Sequence, residues 1–100
     1  MDDKRIAAVA HALGHPARVS ILRMLASQDA CMGAEVFESL PLAQSTISQH
    51  LGVLKRAGLI HATRHGTRML YCITGEPLEG FVRSLDALVE THPVCPGEDA

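Results

Sequence analysis

The residue types best able to do chemistry in this chain are gathered between Gln44 and His50. Gln44, Ser45, Thr46, Ser48, Gln49 and His50 offer hydrogen-bonding side chains and no carboxylate, interleaved with Ile47, Leu51 and Leu54 at i, i+4 and i+7. That spacing places the apolar residues on one stripe of a helix and leaves the opposite face polar. A carboxamide can pair bidentately with adenine, and a hydroxyl can bond a base or a phosphate. Lys55 and Arg56, just before Gly58, suit phosphate and the negative end of a helix alike. The chemistry on offer is recognition of a polyanion with readable edges. A solvated helix face would carry the same residues, so the surroundings must decide.

The surroundings are cationic although the net charge is −2. All eleven carboxylates lie at or before Glu38 or at or after Glu76, and the 37 residues between hold Lys55, Arg56, Arg64 and Arg68 with no acid. Charge acts on a binding face within about a Debye length, roughly 8 to 10 Å, so the local sign outweighs the total. One hundred residues, 47% hydrophobic and 3% aromatic, make one domain with an aliphatic core, which favours helices. No apolar run reaches the length of a membrane span, and the start Met1-Asp2-Asp3-Lys4-Arg5 lacks a secretory apolar stretch. A cytoplasmic protein with no membrane partner is expected. Three widely spaced cysteines, an odd number, argue against a disulfide framework. There is no glycine-rich phosphate loop, nucleophile motif or close carboxylate pair, which excludes an enzyme.

The elements that must position the polar helix can be read from periodicity and punctuation. Asp3 to Leu13 is a first helix with Ile6, Val9, Ala10 and Leu13 inward, ended by Gly14. His15-Pro16 opens a second helix to about Ser27, with Leu22 and Leu25 deepest. Gln28 to Met32 connects it to a short third helix, Gly33 to Leu40, with Val36, Phe37 and Leu40 apolar and Pro41 as its stop. Pro41-Leu42-Ala43 is then the tight link of a helix-turn-helix. Leu59 to Thr63 and Arg68 to Ile73 read as strands joined through Arg64-His65-Gly66-Thr67. A hairpin with a basic tip directly after a polar-faced helix is a wing, whose Arg64, His65, Thr67 and Arg68 would reach phosphate or the minor groove. Thr74-Gly75-Glu76-Pro77 starts a last helix to His92, with Leu78, Phe81, Val82, Leu85, Leu88 and Val89 in helical phase. It is too apolar to lie alone, so a two-fold dimer through the first and last helices is predicted, the alternative being that both helices cover their own domain's core. The expected fold is mainly α with a β-hairpin wing (α+β), a winged helix-turn-helix of order ααααββα. Residues 1–92 form the domain, and Pro93 to Ala100 a flexible tail.

Three stretches, ALGHPARVSILRML, QSTISQHLGVLKRAGLI and RHGTRMLYCI, are jointly similar to the ArsR/SmtB-type family of bacterial winged-helix repressors. The resemblance covers about Ile6 to Val89. It implies a homodimer joined by its first and last helices, with recognition helices in successive major grooves of double-stranded operator DNA. It further implies repression that is relieved when a small inducer binds. By position, Gln44, Ser45, Thr46, Ser48, Gln49 and His50 match the reading part of the helix, and His65, Thr67 and Arg68 match the wing. The inducer sites do not carry over. Where arsenical sensors have a Cys-x-Cys pair this chain reads Cys31-Met32-Gly33-Ala34, and the helix from Glu76 to Glu90 lacks the histidines of the zinc-type site.

Cys31 at a loop-to-helix junction and Cys95 after the last helix, 64 residues on, remain the candidates for sensing. In one reading a disulfide or polysulfide bridge between them shifts the dimer off DNA, as in a few similar relatives. In another they hold a thiophilic ion such as As(III) with a third donor, His92 being a candidate. In a third the cysteines regulate nothing. Cys72, alternating with Tyr71 and Ile73 in a strand, is expected to be a buried apolar thiol without a role. The rival to DNA reading is a winged helix that binds protein and has lost its DNA contacts.

Overall fold

Asp2 opens the first helix, α1 (Asp3–Leu13), by accepting the Arg5 N–H on its carboxylate at 2.8 Å. This computed structural model describes residues 1–91; His92, Cys95 and the expected tail lie outside them. The second helix, α2 (Pro16–Ala26), starts where His15 Nδ1 accepts the Ala17 N–H at 3.0 Å, with Pro16 where its missing N–H costs nothing. Val9 and Ala12 form the buried side of α1, while Ile6 and Leu13 are half-buried flanks. Ala12, not the expected Ala10, turns inward, because the buried side is an i, i+3 pair facing the other helices.

The third helical element is a 3-10 helix, η1 (Ala34–Glu38), in place of the expected α-helix from Gly33 to Leu40. Its start is held back by an antiparallel bridge between Met32 and Tyr71, and Pro41 limits its extension on the other side. Val36 still buries fully, so the element keeps its anchor. The helix α3 (Gln44–Arg56) buries Ile47, Leu51 and Leu54 as its spacing dictates. It ends as a Schellman motif: Gly58 at φ 78° sends its N–H to the Lys55 carbonyl at 3.0 Å, and the Leu59 N–H reaches the Leu54 carbonyl at 3.0 Å. Leu59 then drops into the core.

Strands β1 (Ile60–His65) and β2 (Arg68–Ile73) pair antiparallel, Ile60 opposite Ile73 and His65 opposite Arg68. The first strand runs two residues past the expected Thr63, because Gly66 at φ 68° lets Gly66-Thr67 close the hairpin alone. The Thr74 N–H bonds the Leu59 carbonyl at 2.8 Å and turns the chain into α4 (Gly75–Thr91). Leu78 and Phe81 lie against the core, and α4 packs on α1. Val82, Leu85, Leu88 and Val89 stay exposed. The whole is a winged helix-turn-helix of order ααααββα, its core shared by α1, α2, η1, α3 and the start of the hairpin.

Candidate nucleic-acid interface

The outer face of α3 is polar, exposed and free of acid. Gln44, Ser45, Ser48 and Gln49 are exposed and Thr46 is half-buried. Ala43, the residue before the helix, supplies no side-chain cap, and the first turn holds no acidic side chain. No capping side chain and no first-turn carboxylate therefore offsets the positive end of the helix dipole. Farther along the same face Gly52 has no side chain, and Lys55 and Arg56 are exposed at the helix end. Ser48, Gly52 and Lys55 form one wall of a groove of about 190 Å³, and Ala62, Met69 and Tyr71 of the hairpin form the other. The hairpin thus stands beside the polar face of α3, with Arg64, His65, Thr67 and Arg68 exposed at and around its tip.

Two of the expected contact residues sit differently from the rest. His50 is only 9% exposed and faces the protein. It lies at i+3 from Ile47 and i−4 from Leu54, inside the buried stripe, so its position already argued for the core. Arg18 Nη1 donates to His50 Nδ1 at 3.2 Å, which puts the imidazole proton on Nε2 in the neutral ring. The same guanidinium closes the end of α1, Nε donating to the Ala12 carbonyl at 2.7 Å and Nη2 to the His11 carbonyl at 3.1 Å. The His15 ring lies 4.4 Å from that of His50. Burial, then the neighbouring His15 and Arg18, hold His50 below the ordinary histidine pKa. His50 thereby positions α3 on α1 and α2. Arg18 and His15 were not expected in this role, although both stand in the GHPAR run.

Arg68 is exposed, but its guanidinium lies over Gly33, where a Cβ would meet Nη2 at 2.9 Å. Beside it Glu35 Oε1 accepts the Gly33 N–H at 3.0 Å. Backbone hydrogen bonds, from Glu35 itself and then Gly33, with a smaller contribution from Arg68, hold the Glu35 carboxyl below its usual range. Cys72 corrects another expectation: it is half-exposed and disulfide-bonded to Cys31, across 41 residues. An odd cysteine count did not prevent a pair, because the chain brings residue 31 beside β2 through the Met32–Tyr71 bridge. Cys95 and His92 fall outside the described residues. Among those described, no group of three His, Cys, Asp or Glu side chains could hold a metal, and no helix is long and apolar enough to cross a membrane.

Residues 15–62 match the model of the bacterial regulatory proteins of the arsR family. An uncharacterized HTH-type transcriptional regulator of Methanocaldococcus jannaschii is 32% identical over 85 residues, 85% of this chain and 96% of that protein. Another from Mycobacterium tuberculosis is 44% identical over 61 residues, covering 61% of this chain but only 54%, about half, of the relative's length. Among solved structures, the homodimeric winged helix-turn-helix DNA-binding domain of a possible ArsR-family regulator from Mycobacterium bovis is similar. It superposes with a TM-score of 0.68 at 26% identity over 100% of this chain and 97% of that one.

Proposed function

The chain belongs to the arsR family of bacterial regulatory proteins, and from that premise we propose that it is a dimeric, sequence-specific repressor on double-stranded operator DNA in the cytoplasm. Its family consists of transcriptional regulators, not enzymes. The observation that carries the reading is the outer face of α3: exposed amides and hydroxyls, an uncapped N-terminus, cations at the far end and no carboxylate. Gln44, Ser45, Ser48 and Gln49 read bases, with Thr46 at the margin. Lys55, Arg64, His65, Thr67 and Arg68 hold phosphate. His50 supports the helix from behind.

Titration of the DNA upstream of its own gene tests this directly. Several phosphate contacts predict a roughly tenfold or greater loss of affinity for each doubling of salt. Absent or salt-insensitive binding would favour the protein-interaction module. The dimer is supported by the exposed apolar residues of α4 and by the homodimeric Mycobacterium bovis domain.

The inducer is thiol-reactive, an oxidant or polysulfide, or a thiophilic ion such as As(III). What supports this is the exposed position of Cys31 in the connection before the helix-turn-helix. Bridging of Cys31 to Cys95 requires that the Cys31–Cys72 bond open first. Operator release by arsenite, zinc, cadmium and polysulfide should be compared in the wild type, Cys31→Ser and Cys95→Ser. Release that survives both substitutions removes the cysteine readings.

A further inference from the structure

The backbone itself aims Cys31 at Cys72. Met32 and Tyr71 exchange both backbone hydrogen bonds, the Met32 N–H reaching the Tyr71 carbonyl at 2.9 Å and the Tyr71 N–H the Met32 carbonyl at 2.7 Å. Next to such a pair in an antiparallel ladder, the flanking residues face each other with Cα atoms about 4.5 Å apart. Here the flanking residues are Cys31 and Cys72, with Cα atoms 4.6 Å apart, inside the range a disulfide needs. Neither base reading nor dimer assembly calls for that arrangement. The two thiols differ in access, Cys31 being exposed and Cys72 half-buried. A pocket of about 180 Å³ opens beside them, lined by Leu25, Gln28, Asp29, Ala30 and Ile73.

We infer that Cys31 and Cys72 are a reversible dithiol–disulfide site for low-molecular-weight disulfides, and that its closure clasps the wing to the connection before η1. In the dithiol form Cys31 gives its proton to solvent and its thiolate attacks one sulfur of the reagent RSSR. A Cys31–SR bond forms, the reagent's S–S bond breaks, and RS⁻ leaves with the electron pair. Cys72 then loses its proton, and its thiolate attacks Cys31 Sγ. The Cys31–Cys72 bond forms as the second RS⁻ departs. Two cysteine thiols have lost two electrons and two protons, and RSSR has become two RSH. The exposed thiol is the entry point and the half-buried one resolves it, with the pocket accommodating the reagent beside Cys31. Closure encloses η1, α3 and β1 in one covalent loop of sequence separation 41. The site depends on the thiol-responsive reading only for its effect at the operator.

The test uses the full chain carrying Cys95→Ser, reduced, then exposed to oxidised glutathione and monitored by intact mass and by exchange of the Met32 and Tyr71 amides. The expected product has lost two hydrogens and retains no glutathione, and both amides gain protection. Adding Cys72→Ser, or Cys72→Ala if the serine misfolds, should trap one glutathione on Cys31. A glutathione adduct that persists with Cys72 present, or oxidation without gain in amide protection, would overturn the clasp. DNA titration of the same closed and open samples separates the two ideas. Closure that leaves affinity unchanged supports the site while removing its regulatory reading, and a several-fold change supports both.

Discussion

Helices α3 and α4 are both amphipathic, yet they use their two faces in opposite ways. In α3 the apolar stripe is spent on the protein's own core: Ile47 and Leu54 are 0% exposed, and the outward side is amide and hydroxyl. In α4 only Leu78 and Phe81 are used inward, while Val82 and Leu88 remain 55% and 64% exposed. An exposed apolar row on a helix costs hydration and is kept where a partner covers it. The difference separates a helix that offers hydrogen bonds from one that offers area. The first suits a hydrated polyanion and the second suits another copy of the same surface.

The sharpest way to break the comparison is to truncate the same residue type in both helices. Leu54→Ala should lower unfolding stability by about 2 to 5 kcal/mol, since it leaves a cavity among Ile47, Leu51 and their neighbours. Leu88→Ala should change monomer stability by no more than about 0.5 kcal/mol, because the side chain meets solvent there. Denaturant midpoints taken at dilutions where sedimentation shows the monomer measure this, and equal losses there would mean α4 is a core helix. Leu88→Glu should instead act on assembly, placing a charge in the paired surface and driving sedimentation toward the monomer at concentrations where the wild type is paired. An unchanged sedimentation coefficient would move the interface elsewhere.

Most of the fold was legible because it obeys local rules. Pro16, Pro41, Gly58 and Gly66 each act where they stand in the chain, and the i, i+4, i+7 stripe of α3 fixes which residues bury. The exposed polar face of α3 is what that stripe leaves over. Local rules do not carry pairings remote in sequence. By residue type His50 is one more polar residue of α3, and its partner Arg18 stands 32 residues earlier. Cys72 looked like a buried strand thiol because Met32 belongs to no strand until it meets Tyr71. The 3-10 form of η1 has the same origin, since that bridge fixes where the helix can begin.

Smaller effects sharpen the division of labour within α3. Gln49→Ala should cost roughly 1 to 3 kcal/mol of discrimination between operator and mutated operator if the amide reads a base bidentately. Stability should stay as it was, Gln49 being exposed. His50 should behave in reverse. Its folded-state pKa lies below the ordinary 6.5, so the unfolded chain takes the proton first. Stability is then full above about pH 6.5 and falls as pH drops through the interval down to the folded pKa. The wild type should lose more stability than His50→Gln between about pH 7.5 and about pH 5.5. Parallel losses would mean that burial beside His15 and Arg18 does not hold the His50 pKa below its ordinary value.

The least effect is expected at Arg68, because two partners contest it. Unbound, its guanidinium lies over Gly33 with the Glu35 carboxylate close by, so a phosphate would meet the cation where an anion already stands near it. Arg64, exposed on the neighbouring strand, does not share that carboxylate and should be the stronger phosphate contact. Arg68→Ala should therefore weaken all DNA sequences alike and only slightly, while lowering the salt slope by about one at most. Arg64→Ala should lower it by about one as well, with a larger loss of affinity. If Glu35 is the reason for the difference, Glu35→Gln should raise affinity in the Arg68 background and leave it unchanged in Arg68→Ala. Equal gains in the two backgrounds would show that Glu35 acts on DNA by simple repulsion and does not hold Arg68 at all.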